Sequence, residues 1–276
     1  MSLGAVVLSW KAQQTLRKSL SSHQRSNLLE NVNDAVVFFQ EFNETEEAEL
    51  AASFGWRAVG SEQNLGIHRG MEEAVAALRS DTVIYLENDC QSLSDPIEMA
   101  RAIEAGQSDL DEGYDVVALR DRRDPGLPFI GVEKYLKHHS VIDAVESSLP
   151  YRARSELQTV IRRLVRGKRR ANFHLGLAPY VEARPDLRHP EFFKRTSSGN
   201  WGTDSRVFQW TNQPFMCRKE FLQEVIFKRV REHPSPKQPH DRQTLETALR
   251  CKWWGDRRFK VSIADRGAFT HDRIDR

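Results

Sequence analysis

Short apolar runs alternate with amphipathic stretches through the first 120 residues. Residues 4–9 (GAVVLS) and 34–40 (DAVVFFQ) are rich in β-branched and aromatic side chains, and 81–92 (DTVIYLENDCQS) opens the same way before breaking into Glu87, Asn88 and Asp89. Unbroken runs of this length fit strands covered on both faces, as in the middle of a parallel sheet. Residues 56–60 and 114–119 add two further short strands. Helical stretches lie between them, at 13–21 with Leu16 and Leu20 four apart, at 44–54, at about 70–78 and at about 95–105. Glu44, Glu46 and Glu47 suit the second helix's start, Gly55 its stop, and Pro96 the first turn of the fourth. Five strands alternating with helices predict an α/β fold with right-handed crossovers.

The rhythm changes after Arg120. A charged Pro/Gly loop (DRRDPGLPF) leads to a helical stretch at 143–170 whose second half, 152–170, is strongly basic, and irregular loops run to Trp201. A strand is expected at 206–211, helices at about 218–231 and 241–253, and a last alternating strand at 259–264, after which Gly267 turns the chain into Phe269, Thr270 and His271. Asp241 is placed to cap the last helix.

Composition narrows the class. Apolar residues at 39% and charged residues at 29% are an ordinary globular mixture, and a formal charge of +2 argues neither for nor against a polyanionic partner. Cys90, Cys217 and Cys251 are odd in number and far apart, which disfavours a disulfide framework or a structural zinc site and implies a reducing compartment. No stretch approaches the ~18 apolar residues of a spanning helix, and no secretory signal opens the chain, so a soluble cytoplasmic protein is expected.

Two carboxylates at the C-terminal end of a buried strand stand where open α/β sheets bind ligands. A divalent cation on a nucleotide diphosphate needs only one or two protein carboxylates, because phosphates and water complete its shell. Glu87 and Asp89 meet that minimum, although solvated loop residues would read the same way.

The sequence resembles the GT-A glycosyltransferases, and among them the family 2-like enzymes. The resemblance rests on LEND (Leu86 to Asp89) in the place of the family's DxD motif, NLG at Asn64 to Gly66, WTNQPF at Trp210 to Phe215, and GAFTH at Gly267 to His271. It implies a GT-A type, Rossmann-like, mostly parallel sheet flanked by helices. Residues 1–120 would then form a nucleotide-sugar-binding half, and 121–276 an acceptor-binding half, of one continuous domain. It also implies that Asp89 and His271 ligate Mn2+ or Mg2+, and that Glu87, which stands where the family has Asp, faces ribose or metal-bound water with Asn88 beside it. Ser9, Trp10 and Glu41 would contact the nucleotide base or ribose, with Asn64 and Arg69 near the diphosphate. Trp10 reads equally well as a core aromatic. Trp210 and Asn212 would form the acceptor pocket.

An inverting transfer needs a base on the acceptor hydroxyl. By the family comparison Glu246 fits best, with Asp241 as rival and Asp204 as a third candidate; helix capping and solvated faces explain the same residues. The basic stretch 152–170 is either a solvated face or a contact for an anionic acceptor, an anionic membrane surface or nucleic acid. The donor is expected to be a nucleoside-diphosphate sugar and the acceptor a glycan or glycoconjugate. The alternatives are a nucleotidyltransferase, which would want a glycine-rich loop where SWKAQQTL stands, and a basic module for nucleic acid or another polyanion, which would want aromatic residues among the arginines.

Overall fold

The computed structural model describes residues 2–126, 131–139, 161, 172, 174–235 and 244–272. Asp241 and, apart from Ile161, the basic stretch 152–170 lie outside the described residues.

Strand β1 (Leu3–Ser9) is buried along its whole length, and its alternation feeds two cores. Leu3, Ala5 and Val7 pack on one face with Leu16 and Leu20 of helix α1 (Gln13–Arg25), and Val6 and Leu8 on the other with Met71, Ala74 and Val75 of helix α3 (Gly66–Ala77). Strand β4 (Thr82–Glu87) divides likewise, Ile84 and Leu86 against Val83 and Tyr85. This two-sided burial is why these segments read as continuous apolar runs. Around them lie β2 (Asp34–Gln40), α2 (Glu44–Ser53), β3 (Arg57–Ser61) and α4 (Pro96–Asp111), the last capped by Asp95, whose carboxylate accepts the Glu98 N–H. Both α1 and α4 run several residues beyond their expected ends.

A nine-stranded sheet has the order β3-β2-β1-β4-β9-β6-β10-β8-β7, where β6 is Val116–Ala118, β7 Lys194–Arg195, β8 Trp201–Asp204, β9 Phe215–Arg218 and β10 Lys260–Ile263. Strands β3, β2, β1, β4, β6 and β10 point one way, while β9 and β8 oppose them. The sheet is therefore α/β and mostly parallel, as expected, but β9 is wedged between β4 and β6. The strand expected at 206–211 is instead turn and loop, and the true strand begins after Pro214. Pro214 cannot donate to a ladder, and the pairing partners of β9 lie about a hundred residues away, where local pattern does not reach. The helix expected at about 218–231 spans 219–232, but its middle, Phe221–Phe227, is wound as a π-helix. The one expected at 241–253 is, in its described part, two short helices, Leu245–Leu249 and Lys252–Arg257, broken at Arg250 and Cys251. Thr244 caps the first of them, its hydroxyl accepting the Thr247 N–H.

A second, two-stranded sheet pairs β5 (Cys90–Ser92) with β11 (Phe269–His271). Beneath it His23 of α1 is fully buried, its Nδ1 2.7 Å from Ser92 Oγ and its ring 5.8 Å from both Trp56 and Phe269. Burial drives its pKa down from 6.5 to about 3, so the folded protein keeps it neutral. The unfolded chain takes up that proton as pH falls below 6.5 and the folded chain does not, so stability is full above 6.5 and declines by about 1.4 kcal/mol per unit towards 3. Between pH 7 and 5 the wild type is expected to lose about 2 kcal/mol of urea-measured stability that His23→Gln does not lose. Equal losses in both proteins would reject this assignment.

Candidate active site

The chain leaves β4 at Glu87, makes a turn over Asn88 and Asp89, and returns as β5. Asn88 fixes that turn. Its N–H donates to Leu8 O (3.1 Å), its side-chain amide to Lys11 O (3.4 Å), and its carbonyl accepts the Ser19 hydroxyl (2.7 Å). Because β11 pairs with β5 in the register His271 to Cys90, His271 comes to lie against the turn, and the Asp272 N–H donates to Asp89 O (2.8 Å). His271 Nε2 is 3.2 Å from Asp89 Oδ1 and 3.9 Å from Glu87 Oε2.

One ligand atom each from Glu87, Asp89 and His271 falls within 4.8 Å of the others. Asp89 Oδ1 is buried and, despite the close imidazole, accepts no hydrogen bond. A buried carboxylate oxygen in that state costs free energy unless something positive meets it. Two carboxylates and an imidazole suit Mn2+ or Mg2+, with the imidazole favouring Mn2+, so the residues present fit a divalent cation.

Loop residues after β6 close over this cluster. The backbone of Arg120 bridges to Phe269, and Asp121 N–H donates to Phe269 O (2.7 Å). At Gly126 (φ +79°) a Cβ would stand 2.0 Å from the carbonyl oxygen of His271, so only glycine lets the loop lie so close to the imidazole's own backbone. The buried Tyr85 phenol is pushed well up by desolvation first, and further by Glu87, Cys90, Asp89 and Glu246. Burial, then Asp89 and Glu87, likewise raises the Cys90 thiol. Negative charge is concentrated here in a dry setting, where a cation gains most.

At the ends of β1 and β2 the structure gathers Ser9, Trp10 and Glu41. Ser9 is buried, whereas Trp10 is 41% exposed, which removes the reading of Trp10 as a core aromatic. Its indole N–H donates to Glu41 Oε2 (3.1 Å), and Lys11 Nζ lies 3.2 Å from the same oxygen and 5.0 Å from the indole ring. Lys11, Ala12 and Glu41 all hold positive φ (55°, 55°, 61°), a strained backbone of the kind found at working sites. Asn64 Oδ1 accepts the Gly66 N–H (2.8 Å), turning the chain into α3, on which Arg69 is exposed and makes no hydrogen bond or ion pair with a described residue.

A cavity of about 260 Å3 runs along one face of β6 and beyond its end, lined by residues that include Val116, Ala118, Arg120, Trp210, Phe215 and Glu246. Trp210 is 5% exposed and packs edge-on against Phe215 and Trp254, so most of it is core and little faces the cavity. The Asn212 N–H donates to Glu246 Oε1 (3.0 Å) and fixes that carboxylate, while Asn212 Oδ1 is buried without a hydrogen bond. Asp204 pairs with Arg206 (2.7 Å) and opposes Lys260 at the N-terminal end of β10, the opposite end of the sheet from Glu87. It stands apart from both metal cluster and cavity. Sequence reasoning missed Arg120, which is buried, lines the cavity and is coupled electrostatically to Asp89. Its only signal was its place just beyond the fifth strand.

No protein-family model and no curated protein matches the chain. Among solved structures it is similar to S. aureus TarS, at 10% identity and a TM-score of 0.50 over 99% of this chain and 37% of that one. It is similar also to S. aureus TarS 1–349 in complex with UDP-GlcNAc, at 11% identity and a TM-score of 0.50 over 100% of this chain and 60% of that one. The chain thus spans less than two thirds of the length of either. With the sheet, its flanking helices and these likenesses together, the chain has the GT-A glycosyltransferase type of fold.

Proposed function

We propose that this protein is a family 2-like glycosyltransferase that moves a sugar from a nucleoside-diphosphate sugar to a hydroxyl of a glycan or glycoconjugate, with inversion. The observation that carries the reading is the buried, hydrogen-bond-free Asp89 Oδ1 converging with Glu87 and His271 beyond the end of β4. These three residues would hold Mn2+ or Mg2+, and the ion would supply charge neutralisation to the diphosphate leaving group.

The remaining roles fall to the chain's own groups. Residues 1–120 bind the donor, with Ser9, Trp10 and Glu41 at the base and ribose, Asn64 shaping the turn into α3, and Arg69 reaching the diphosphate as a charge-assisted donor. Asn88 holds the metal turn in register. In the second half Trp210 and Asn212 shape the acceptor pocket, and Glu246, oriented by the Asn212 amide, takes the proton. The acceptor oxygen forms a bond to the anomeric carbon on the face opposite the nucleotide as the bond to diphosphate breaks, the electron pair leaves with the diphosphate, and the acceptor proton passes to Glu246. Asp241 is the alternative base. The TarS chain solved with UDP-GlcNAc makes UDP-sugars the first donors to test. Reaction in the cytoplasm, with the basic stretch 152–170 against an anionic membrane surface, completes the proposal; among the described residues no helix is long and apolar enough to cross a membrane. A nucleotidyltransferase is not favoured, because a left-handed Lys11-Ala12 step follows β1 where a glycine-rich phosphate loop would be needed.

Glu246→Gln keeps the shape and removes the base. It is expected to leave Mn2+-dependent binding of the donor unchanged, measured by thermal shift, and to slow nucleoside diphosphate release by about 10²- to 10⁴-fold. Full activity of Glu246→Gln would move the base elsewhere.

A further inference from the structure

The cavity beside Glu246 is electrostatically lopsided. Among the described residues three cationic side chains, Arg120, Lys134 and Arg250, line it with one carboxylate, Glu246, which already accepts the Asn212 amide, and both arginines have interactions of their own. Arg120 is buried and donates to Gln213 Oε1 and to Pro125 O, and desolvation lowers its pKa, so keeping its charge there is costly. Lys134 differs. It lies half-buried on the short helix Gly131–Leu136, lines the cavity, and makes no hydrogen bond or ion pair with any described residue. An ammonium partly withdrawn from water with no counter-charge gains most from an anion brought to it. Trp210, Phe215, Leu177 and Phe208 also line the cavity and give it an apolar component, although Trp210 and Phe215 are largely buried and show it little surface.

We propose that the cavity takes a hydroxyl acceptor bearing an anionic group, phosphate or carboxylate, and that Lys134 and Arg250 hold this group while the hydroxyl faces Glu246. The proposal rests on the reading of Glu246 as the base of the acceptor site. It defines the acceptor's class: a phosphorylated or acidic sugar, or a polymer end of that chemistry. A neutral glycan does not qualify.

Calorimetric titration of the whole chain with glucose 6-phosphate, glucuronate and glucose, without metal or nucleotide, separates the possibilities. At least one of the two anions is expected to bind about tenfold or more tightly than glucose. Binding of the phosphate alone identifies a phosphorylated acceptor, and binding of both extends the class to carboxylates. Lys134→Ala is expected to bring the anions to within about threefold of glucose, and Lys134→Arg to restore most of the preference. Thermal unfolding of each variant, and Arg250→Ala as a second substitution, guard against loss of fold. Glucose binding as tightly as both anions, or Lys134→Ala retaining the full preference, overturns the proposal. Mn2+-dependent nucleoside diphosphate binding, measured on the same samples, keeps the two readings apart. If it persists while the anions fail, the acceptor class is wrong and the transferase reading stands; if it fails while the anions bind, the acceptor assignment falls with the transferase reading.

Discussion

Asp89→Ala is expected to abolish Mn2+-dependent binding of nucleoside diphosphate while the protein remains folded. Asp89 contributes the buried oxygen around which Glu87 and His271 are arranged, with His271 Nε2 only 3.2 Å away. Loss of a mere supporting partner at a metal site costs roughly 10- to 100-fold, so loss of the central carboxylate is expected to cost about 100-fold or more. The turn itself should survive. Its struts are the Asn88 bonds to Leu8, Lys11 and Ser19 and the backbone bond from Asp272 to Asp89 O, none of which uses the Asp89 carboxylate. Removal of one of two neighbouring carboxylates also relieves its repulsion with Glu87 in the metal-free protein. The expected pattern is therefore unchanged or raised thermal stability without metal, and no further rise when Mn2+ and nucleoside diphosphate are added. A normal ligand-induced shift in Asp89→Ala would contradict it.

The largest effect on stability is expected far from that cluster, at Asp109. This carboxylate on α4 is fully buried and, among the described residues, is met by neutral donors: the Ser198 hydroxyl (2.8 Å), the Asn200 amide (2.8 Å) and the Ser262 hydroxyl. Asn200 in turn accepts the Asp265 N–H (3.0 Å) in the turn between β10 and β11, so one side chain ties α4 to the segment that delivers His271. Asp109→Ala would leave two buried donors, the Asn200 amide and the Ser262 hydroxyl, without this acceptor, while the half-buried Ser198 hydroxyl keeps Thr196 Oγ1 at 2.9 Å. The cost is expected to be about 3–5 kcal/mol, read from urea unfolding, with Asp109→Asn losing less because it keeps one acceptor oxygen. A midpoint shift under about 1 kcal/mol in Asp109→Ala would show that the network is not a support of the fold.

The parts of this architecture that a reader of the sequence could see are those whose signal is local. Strands β1, β2 and β4 are apolar runs because both their faces are covered, and Gly55 and Pro96 mark helix ends by their own backbone chemistry. Acidic residues at the tip of β4 are visible for the same reason. What could not be read is what depends on distant pairing. Strand β9 is four residues long, and its place between β4 and β6 is set by ladders to residues about a hundred positions away, so the apolar letters just before Pro214 were the more strand-like. Asp109 looks like any polar residue late in a helix, since its three donors arrive from residues 198–262. The cavity cations are likewise scattered at 120, 134 and 250 with no motif among them. Trp10 illustrates the converse: an indole beside a buried strand suggests a core residue, yet the left-handed step at Lys11 and Ala12 leaves it exposed against Glu41.

Pulsed electron paramagnetic resonance of Mn2+ added to the protein tests most directly whether Glu87, Asp89 and His271 hold one cation. The account predicts bound Mn2+ with nitrogen modulation from one imidazole, lost in His271→Ala, and no bound Mn2+ in Asp89→Ala. Mn2+ that does not bind the wild type, or binds it without a nitrogen signal, would contradict it.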